Sequence, residues 1–311
     1  MDRNSDEFGT KVARVGQKVL LHDIILNAIM VILSIIFLAP VALVYIISFS
    51  SAESIREIGY SFVPKSWSLD GYIYLLGSSE QLLSSLGVSV FVTVVGTVLT
   101  VVVTGMIAYV IYRKDFKYRK QLTFYLFFTM LFSGGMVPSY IVNTNLLHLG
   151  DNILILFLPT LCSAWNAIIL RTFYTQTIPD SLIEAAKIDG ADEWVIFFRI
   201  VIPIARPALA TIALFSMVGL WNDWFTGLLY INTPSKEPLQ VLLQKLQSTL
   251  DYLTTNASFA SSADGIRMAL NMPTDSVRMA LTVLIMTPIL FAYPFFQKYF
   301  VRGITIGSVK G

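Results

Sequence analysis

"EAAKIDGADEWVIFFRIVIP", residues 184–203, is a charged segment that lies between two long apolar segments. Ser181 stands three residues before Glu184, and this S-x-x-E spacing predicts a helix start with a capping box. Gly190 follows at a distance of two turns and can adopt the left-handed conformation that ends a helix. The first half of the segment is therefore predicted to be a short, stiff helix.

A second short helix is predicted to follow the glycine. Asp192 can cap its first turn, and Pro203 and Pro207 interrupt it before the next apolar segment begins. Ala185, Ala186 and Ile188 give the pair a small, smooth surface.

The polar face of this helix pair is more acidic than basic. An amphipathic hairpin resting on lipid headgroups is one interpretation, but such helices usually carry a face rich in Lys and Arg. An acidic face is repelled by an anionic leaflet, so a protein partner fits better. The acids are Glu184, Asp189, Asp192 and Glu193, and the bases are Lys187 and Arg199.

The composition of the whole chain indicates a membrane protein. Hydrophobic residues make up 55% and charged residues 14% of 311 residues, whereas about a quarter of a soluble domain is charged. The single cysteine, Cys162, excludes a disulfide within the chain and a cysteine-rich metal site. The placement of the apolar segments therefore decides the fold.

Six segments are apolar and long enough to cross a bilayer as helices, which requires about 20 residues. We therefore predict an all-α integral membrane protein with six transmembrane helices, the first of which is a retained anchor rather than a signal peptide. The segments are 23–49, 84–112, 121–142, 152–173, 207–231 and 278–298. The corresponding domain boundaries are a segment 1–22, a membrane domain 23–298 and a tail 299–311.

The positions of Lys and Arg predict the orientation. If both termini are cytoplasmic, the inner segments hold 16 of the 22 basic residues, most densely in "RKDFKYRK", residues 113–120. The loop 179–206 then faces the cytoplasm, and the loop 232–277 faces outside. The outer loop contains "LQVLLQKLQSTLDYL", which is typical of an amphipathic surface helix.

Two apolar spans also carry polar side chains. Asp223 lies about 24 Å along the fifth span, so it falls in the outer half of the membrane, where a carboxylate is a functional candidate. An interfacial aromatic belt is the alternative interpretation. The possible substrate-pathway residues are Asn166, Trp221, Asn222, Asp223 and Trp224.

A stripe of small and hydroxylated residues runs along one face of the second span. It can line a pathway, but tight helix packing is the simpler interpretation because small side chains let backbones approach. The stripe consists of Ser85, Ser89, Thr93, Thr97, Thr100, Thr104 and Ala108.

The charged segment resembles a known motif, the EAA loop of the membrane subunits of bacterial ABC importers. Further stretches, "IPDSLIEAAKIDGA", "GLWNDWFTGLLYI" and "FVRGITIGSVKG", resemble maltose-type carbohydrate permeases. "LFSGGMVPSY" and "ILRTFY" are similar to a subgroup, common in Gram-positive bacteria, that takes up oligosaccharides. The motif positions are Glu184, Ala185, Ala186, Gly190, Ile200, Ile202 and Pro203, with Ile202 where the family often has Leu.

This resemblance implies a type I importer permease in the cell membrane, with a cytoplasmic coupling helix that docks on a separate ATPase. The implied partners are a second, related permease in a heterodimer, two cytoplasmic ABC ATPases, an extracellular solute-binding protein, a sugar and the lipid bilayer, but no nucleic acid. The implied coupling residues are Ser181, Glu184, Ala185, Ala186, Asp189, Gly190 and Pro203, and the tail would reach the ATPases through Gly307 and Lys310.

The chain lacks the G-x-x-x-x-G-K-[ST] phosphate loop, so ATP and Mg²⁺ are expected on the partner ATPase. We therefore expect a transporter subunit that is not itself an enzyme, with no cofactor or metal of its own. An ABC permease for a non-sugar solute remains an alternative. An ion-coupled carrier is a second alternative, and such a carrier should have buried ionisable residues in several spans.

Overall fold

The computed structural model describes residues 3–77, 79–255 and 275–307, and within them the regular elements are helices. The all-α fold is therefore confirmed. The α-helices are α1 (Arg3–Ser48), α2 (Ala52–Ile58), α3 (Asp70–Gly77), α4 (Ser79–Tyr112), α5 (Arg119–Leu131), α6 (Met136–Ile141), α7 (Ala164–Thr177), α8 (Asp180–Ile188), α9 (Glu193–Val195), α10 (Ile202–Ile204), α11 (Arg206–Asn222), α12 (Trp224–Tyr230), α13 (Leu239–Thr255) and α14 (Asp275–Gly307). Shorter turns are π-helical at Val142–Leu146 and Ile196–Val201 and 3₁₀-helical at Ile153–Leu156, Leu158–Thr160 and Pro234–Lys236.

Six membrane spans are present if each bent helix pair counts as one. Three apolar helices are long enough alone, at His22–Ser48, Glu80–Tyr112 and Asp275–Gln297. The other three consist of two helical pieces, with bends of 116°, 46° and 83° at the breaks. Each of the six predicted segments thus overlaps a helix or a bent pair, although the pair bent by 83° begins at Glu193, before the predicted fifth segment 207–231.

The third span differs most from a simple transmembrane helix. Sequence analysis treats 121–142 as one helix, but α5 ends at Leu131 and α6 begins at Met136, with a 116° bend between them. Gly135 has a φ of +86°, a conformation that favours glycine, and Pro138 follows in the first turn of α6. The Gly-Gly pair therefore redirects the chain after about 20 Å of helix.

The chain divides into two compact units, and the first comprises residues 1–73 and 273–283. Here Ser51 caps α2 by accepting a hydrogen bond from the Ser54 amide at 3.1 Å. The Tyr60 hydroxyl accepts a bond from the guanidinium of Arg278 at 2.7 Å. The most apolar window of α1 has no buried residue, so this helix presents its side chains to lipid or to another protein.

The second unit, residues 74–272 and 284–311, is built around α4, which packs against α7 and α11. The small-residue stripe of α4 lies in this contact, and Ser85, Thr104 and Ala108 are fully buried. A Cβ at Gly96 would lie 2.7 Å from Leu220 Cδ1 and 2.9 Å from Phe157 Cβ. The packing interpretation of the stripe is therefore confirmed for most of its length.

The segment after α12 is fixed by one carboxylate. Asp151 accepts hydrogen bonds from the amides of Asn232 and Thr233 and from the Thr233 hydroxyl, at 2.6–3.0 Å, and pairs with Lys236. These bonds lower the pKa of the Asp151 carboxyl, the Thr233 hydroxyl contributing most. Asp151 therefore holds the start of the 232–277 loop in place.

The amphipathic helix suggested for this loop is present as α13. The Leu239 amide donates to the Ser89 hydroxyl at 2.9 Å, and Leu239 is buried. The buried carboxylate of Glu237 pairs with Lys245 of α13. The rest of the loop, residues 256–274, lies outside the described residues.

We predict that Gly96→Ala lowers the thermal stability of the purified chain, because the added methyl group overlaps Leu220 and Phe157. Overpacking of this kind costs about 1–3 kcal/mol. The measurement is the unfolding midpoint in detergent. Gly87→Ala on the same helix is the control, since its added Cβ meets nothing within 4 Å. Equal midpoints for the two variants would contradict close packing at Gly96.

Candidate functional site

The EAA segment forms a helix that is anchored by one side chain and otherwise turned outward. In α8, Ile183 is 4% exposed and belongs to the core between α4, α7 and α11. Glu184, Ala185, Asp189 and the 86% exposed Ile188 face away from that core, whereas Ala186 packs partly against it. The motif residues therefore form an accessible surface on a fixed helix.

The start of α8 differs from the prediction. Pro179 occupies the N-cap position without a side-chain cap, and Ser181 lies inside the first turn. The predicted capping box between Ser181 and Glu184 is therefore wrong. Asp180 supplies the negative charge in the first turn instead, and it pairs with Lys114.

The glycine turn between the two helices matches the prediction. Gly190 has a φ of +81°, its amide donates to the Lys187 carbonyl at 3.0 Å, and the Ala191 amide donates to the Ala186 carbonyl at 2.9 Å. This is the Schellman arrangement, which satisfies two terminal carbonyls of α8. Asp192 then caps α9 by accepting from the Val195 amide at 2.7 Å.

The second helix continues as a π-helical stretch and bends into the next span. The residues from Glu193 to Ile204 form one rod that meets α11 at an angle of 83°, with Ala205 at the corner. Pro203 lies in α10 on one side of this corner and Pro207 in the first turn of α11 on the other. The proline pair therefore produces the predicted elbow.

A network of charges ties this loop to the end of α4. The Arg113 guanidinium donates to Asp115 Oδ1 at 3.0 Å and to Glu193 Oε2 at 2.9 Å, although its side chain is only 10% exposed. Lys187 of α8 completes the network, with Nζ 2.7 Å from Asp115 Oδ2 and 3.0 Å from Glu193 Oε1. The Tyr109 hydroxyl donates to Glu193 and accepts from Arg113. Arg113 thus holds α9 directly, and α8 joins the same network through Lys187.

The network is ionised across a wide pH range. The hydrogen bond from Arg113 is the main cause that lowers the pKa of Asp115. Desolvation opposes ionisation of Glu193, but hydrogen bonds from Tyr109 and Lys187 outweigh it and lower the pKa of that carboxyl. The bond to Asp115 raises the pKa of Lys187.

These shifts determine where the network contributes stability. Because the carboxyl pKa values are lowered in the folded protein, the ionised carboxylates stabilise it fully above the ordinary carboxyl range. This stabilisation is lost as the pH falls through the pKa values of the folded state. The pKa of Lys187 is raised, so its stabilisation is lost only as the pH rises above the ordinary lysine range. The network therefore makes its full contribution between the ordinary carboxyl and lysine ranges, which include neutral pH.

Apolar contacts support the same junction. The ring of Phe197 lies 5.4 Å from that of Tyr109, and the Tyr112 hydroxyl donates to the Ile178 carbonyl at 2.9 Å. The rings of Tyr112 and Tyr174 meet edge to face at 6.0 Å. The loop, α4 and α7 therefore share one packed core.

A second feature of the site is a polar cavity within the spans. Its volume is about 440 Å³, and it lies where the fourth span is broken before α7. Asn166 and Asp223 from the predicted pathway set both line it, together with Thr100, Thr160, Ser163, Phe215, Ser216, Gly219 and Leu220. Hydroxyl, amide and carboxylate groups beside an aromatic ring are suited to a polyhydroxylated solute.

The other predicted pathway residues do not line this cavity. Trp221 is buried, and its Nε1 donates to the Ile285 carbonyl at 3.0 Å. Asn222 donates to the Val218 carbonyl and accepts from Gln240, while Trp224 packs edge to face with Phe225. Asp223 also caps α12 by accepting from the Thr226 amide at 3.0 Å. Gly307 is the last residue of α14, and Lys310 lies outside the described residues.

Sequence reasoning missed the charge network. Arg113 and Glu193 are 80 residues apart, and "RKDFKYRK" was interpreted only as an orientation signal. The isolated acid Asp115 within that basic run was the available clue. Among the described residues, no cluster of His, Cys, Asp or Glu could hold a metal ion.

A family comparison covers nearly all of this site. Residues 101–306 match the family described as "Binding-protein-dependent transport system inner membrane component", which is most of the chain and includes the EAA segment and every residue that lines the cavity except Thr100. The chain belongs to this family. The permease resemblance drawn from the EAA segment is therefore confirmed, as is location in the membrane through several spans.

Individual relatives of the permease cover nearly its full length. It is 39% identical over 291 residues to the polygalacturonan/rhamnogalacturonan transport system permease protein YtcP of Bacillus subtilis, covering 94% of this chain and 99% of that protein. It is 26% identical to the arabinooligosaccharides transport system permease protein AraQ of Bacillus subtilis, covering 93% and 96%. A bacterial ABC transporter that imports the acidic polysaccharide alginate has a chain of similar structure, with a TM-score of 0.73, 28% identity and coverage of 96% and 99%.

We predict that Arg113→Gln loosens α8 and α9, because it removes the cation shared by Asp115 and Glu193. The guanidinium is largely buried but its two carboxylate partners are about half exposed, so loss of these charged hydrogen bonds should cost about 1.5–3 kcal/mol. Amide hydrogen exchange across residues 180–195 should therefore accelerate by about tenfold or more.

Lys114→Gln is the matched control. Lys114 also pairs with α8, through Asp180, but both side chains are about half exposed or more, and such pairs contribute about 0–1 kcal/mol. Equal exchange rates in the two variants would show that Arg113 does not anchor the loop.

Proposed function

We propose that this permease imports a carbohydrate oligomer, and that it receives the driving force through the EAA helix from a separate cytoplasmic ATPase. The observation that carries the proposal is the contrast within α8. Its anchor, Ile183, is buried, while the motif surface is exposed and carries the apolar Ile188 between the acids Glu184 and Asp189. A fixed helix with an exposed apolar face at its tip is suited to dock in a groove of another protein.

Transmission of force requires that the docked helix does not move independently of the spans. The Arg113 network and the Phe197 contacts join α8 and α9 to α4, and the 83° elbow joins them to α11. Closure of an ATPase pair on ATP would thus displace α8 and rotate the attached spans. The cavity at Asn166 and Asp223 would then alternate between the two sides of the membrane.

The remaining partners follow from the same proposal. The permease would form a heterodimer with a second, related permease, and each would present one coupling helix to two ATPase subunits. ATP and Mg²⁺ would be bound by those ATPases, with both termini of this chain on their side of the membrane. The tail through Gly307 and Lys310 would reach the ATPases. A solute-binding protein would deliver cargo at the opposite face, beside the loop held by Asp151.

The cargo class is supported by the relatives and by the cavity together. The relatives are named for transport of polygalacturonan/rhamnogalacturonan and of arabinooligosaccharides, and the structural neighbour is involved in the import of alginate. The cavity lining contains one carboxylate, from Asp223, and no cationic side chain. This surface therefore fits neutral sugar hydroxyls, and the charge of a uronic acid would be matched by the second permease.

The coupling role predicts the behaviour of Ile188→Glu. Because Ile188 is 86% exposed, the change leaves the fold intact but places a charge in the docking surface. Loss of one buried apolar side chain costs about 1.5–3 kcal/mol, so ATPase retained on the affinity-purified permease should fall about 10- to 100-fold.

Two further variants complete that experiment. Glu184→Lys should also reduce ATPase retention, by reversing a motif charge. Ile58→Glu introduces the same change on the partly exposed α2 of the other unit and should have no effect. Undiminished retention with both Ile188→Glu and Glu184→Lys would exclude α8 as the docking element.

The pathway role predicts that loss of the Asp223 charge changes the half-saturating concentration in opposite directions for neutral and for acidic cargo. Asp223→Asn keeps an acceptor for the Thr226 amide but removes the negative charge from the cavity. We expect the half-saturating concentration to rise about tenfold for neutral oligosaccharides, which lose a charged hydrogen bond, and to fall for uronic acid oligomers. The measurement is cargo-stimulated ATP hydrolysis by the assembled transporter.

Asn222→Ala is the control for that experiment, because its amide bonds to the Val218 carbonyl away from the cavity. Unchanged stimulation by both cargo types in Asp223→Asn would remove this cavity from the pathway. ATPase retention should remain normal in either variant, which separates a pathway defect from a coupling defect.

A further inference from the structure

A second cavity, of about 700 Å³, lies on the coupling-loop side of the permease, between the end of α4, the start of α5 and α7. Five cationic side chains line it, against one carboxylate, that of Asp115. We call it the basic cavity. The cations are Lys114, Lys117, Arg119, Lys120 and Arg171.

Within the described residues, most of the cations in the basic cavity have no ion-pair partner. Asp115 already pairs with Arg113 and Lys187 of the coupling network, and Lys114 pairs with Asp180. The other four cations have no ion pair within the described part of the chain.

Arg171 makes this excess charge costly. It lies in α7, six residues before the end of the helix and therefore about 9 Å inside it. Its Nε is buried with no hydrogen-bond acceptor in the described structure, and Arg119 is close enough to repel its charge. A partly buried guanidinium is normally paired, so this site favours an anion from outside the chain.

The basic cavity is continuous with exposed aromatic surface. Phe124 and Phe127, one and two turns further along α5, also line it, and Phe124 is 71% exposed. An occupant that matches the whole cavity therefore needs an anionic head beside an apolar tail. An inorganic anion would satisfy only the cations, and an acidic peptide would leave the aromatic half unmatched.

We propose that the basic cavity binds an anionic phospholipid. The phosphodiester is held by Arg119, Lys120 and Arg171, and an acyl chain lies along Phe124 and Phe127. Basic cavities between spans on this side of a membrane are suited to such headgroups. Because Asp115 belongs both to the cavity lining and to the coupling network, the lipid lies directly beside the junction that holds α8.

The test uses the full-length chain in phosphatidylcholine nanodiscs titrated with phosphatidylglycerol. Preferential binding is measured by native mass spectrometry, and the unfolding midpoint is measured in parallel. The wild type should retain phosphatidylglycerol selectively and gain stability from it. The double variant Arg119→Gln/Arg171→Gln should weaken that preference about 30-fold, since each cation near an anionic headgroup strengthens binding about fivefold.

Arg199→Gln is the matched control, since this exposed arginine is also on the coupling-loop side but outside the basic cavity. It should change the preference less than twofold. The double variant should be at least as stable as the wild type in pure phosphatidylcholine, where no lipid with a net negative charge balances the cations that it lacks. This second readout separates loss of the lipid from misfolding.

Several outcomes would overturn the proposal. These are no preference for phosphatidylglycerol, an equal loss in Arg199→Gln, or displacement of the lipid by millimolar inorganic phosphate, which would indicate a site for the anionic head alone. Cross-linking of Lys120 to a partner protein in the assembled transporter, without retained phosphatidylglycerol, would instead assign the cavity to a protein interface. None of these measurements depends on ATP hydrolysis or on the cargo.

Discussion

The position of the EAA segment depends on the guanidinium of Arg113. Arg113 directly follows α4 in the second unit, and its side chain pairs with Asp115 two residues later and with Glu193 at the start of α9. Lys187 of α8 touches the same two carboxylates, so four charges join three pieces of chain. In a partly desolvated site, each charge requires the others, because an unpaired one would be strongly unfavourable. The position of the EAA helix is therefore determined by α4.

This arrangement explains how an exposed helix can be rigid. Few residues of α8 are buried, so packing alone would let it move easily. The network and the Schellman turn at Gly190 instead fix its C-terminal end, and the buried Ile183 anchors its middle. The helix can thus expose Ile188 and still keep its direction relative to α4 and α11. The exposed Ile188 is thus free to contact a partner, while other residues, Ile183 and Lys187, hold the helix in place.

Local sequence patterns predicted what depends on local physics. The positive φ of Gly190, the Asp192 cap and the elbow beside Pro203 follow from the conformational preferences of single residues. The number of spans follows from apolar length, although the break at Gly135 inside the third span was not expected. Ser181 failed as a cap because Pro179 already supplies the extended conformation that begins the helix.

Long-range contacts could not be predicted in the same way. Nothing local to Glu193 indicates a partner 80 residues earlier, and the buried position of Trp221 depends on the carbonyl of Ile285. Asn166 and Asp223, by contrast, were identified from their cost in a membrane, and they do line one cavity. A polar residue in an apolar span thus indicates that a cavity lies nearby. Its polarity does not show whether the side chain lines that cavity or forms a hydrogen bond between two helices.

The cavity and the coupling network place opposite demands on α4. Near its Tyr112 end the helix must be immobile, and there it carries Tyr109, Tyr112 and Arg113 in a continuous core. Farther from that end, Thr93, Thr97 and Thr100 have buried hydroxyls without a hydrogen-bond partner in the described structure, and Thr100 lines the cavity. An unsatisfied hydroxyl costs about 1–3 kcal/mol, so this face gains little by staying packed in one arrangement. Under the proposed alternating access, a helix that is held at one end and has unsatisfied hydroxyls along its middle can transmit a displacement while its neighbours repack.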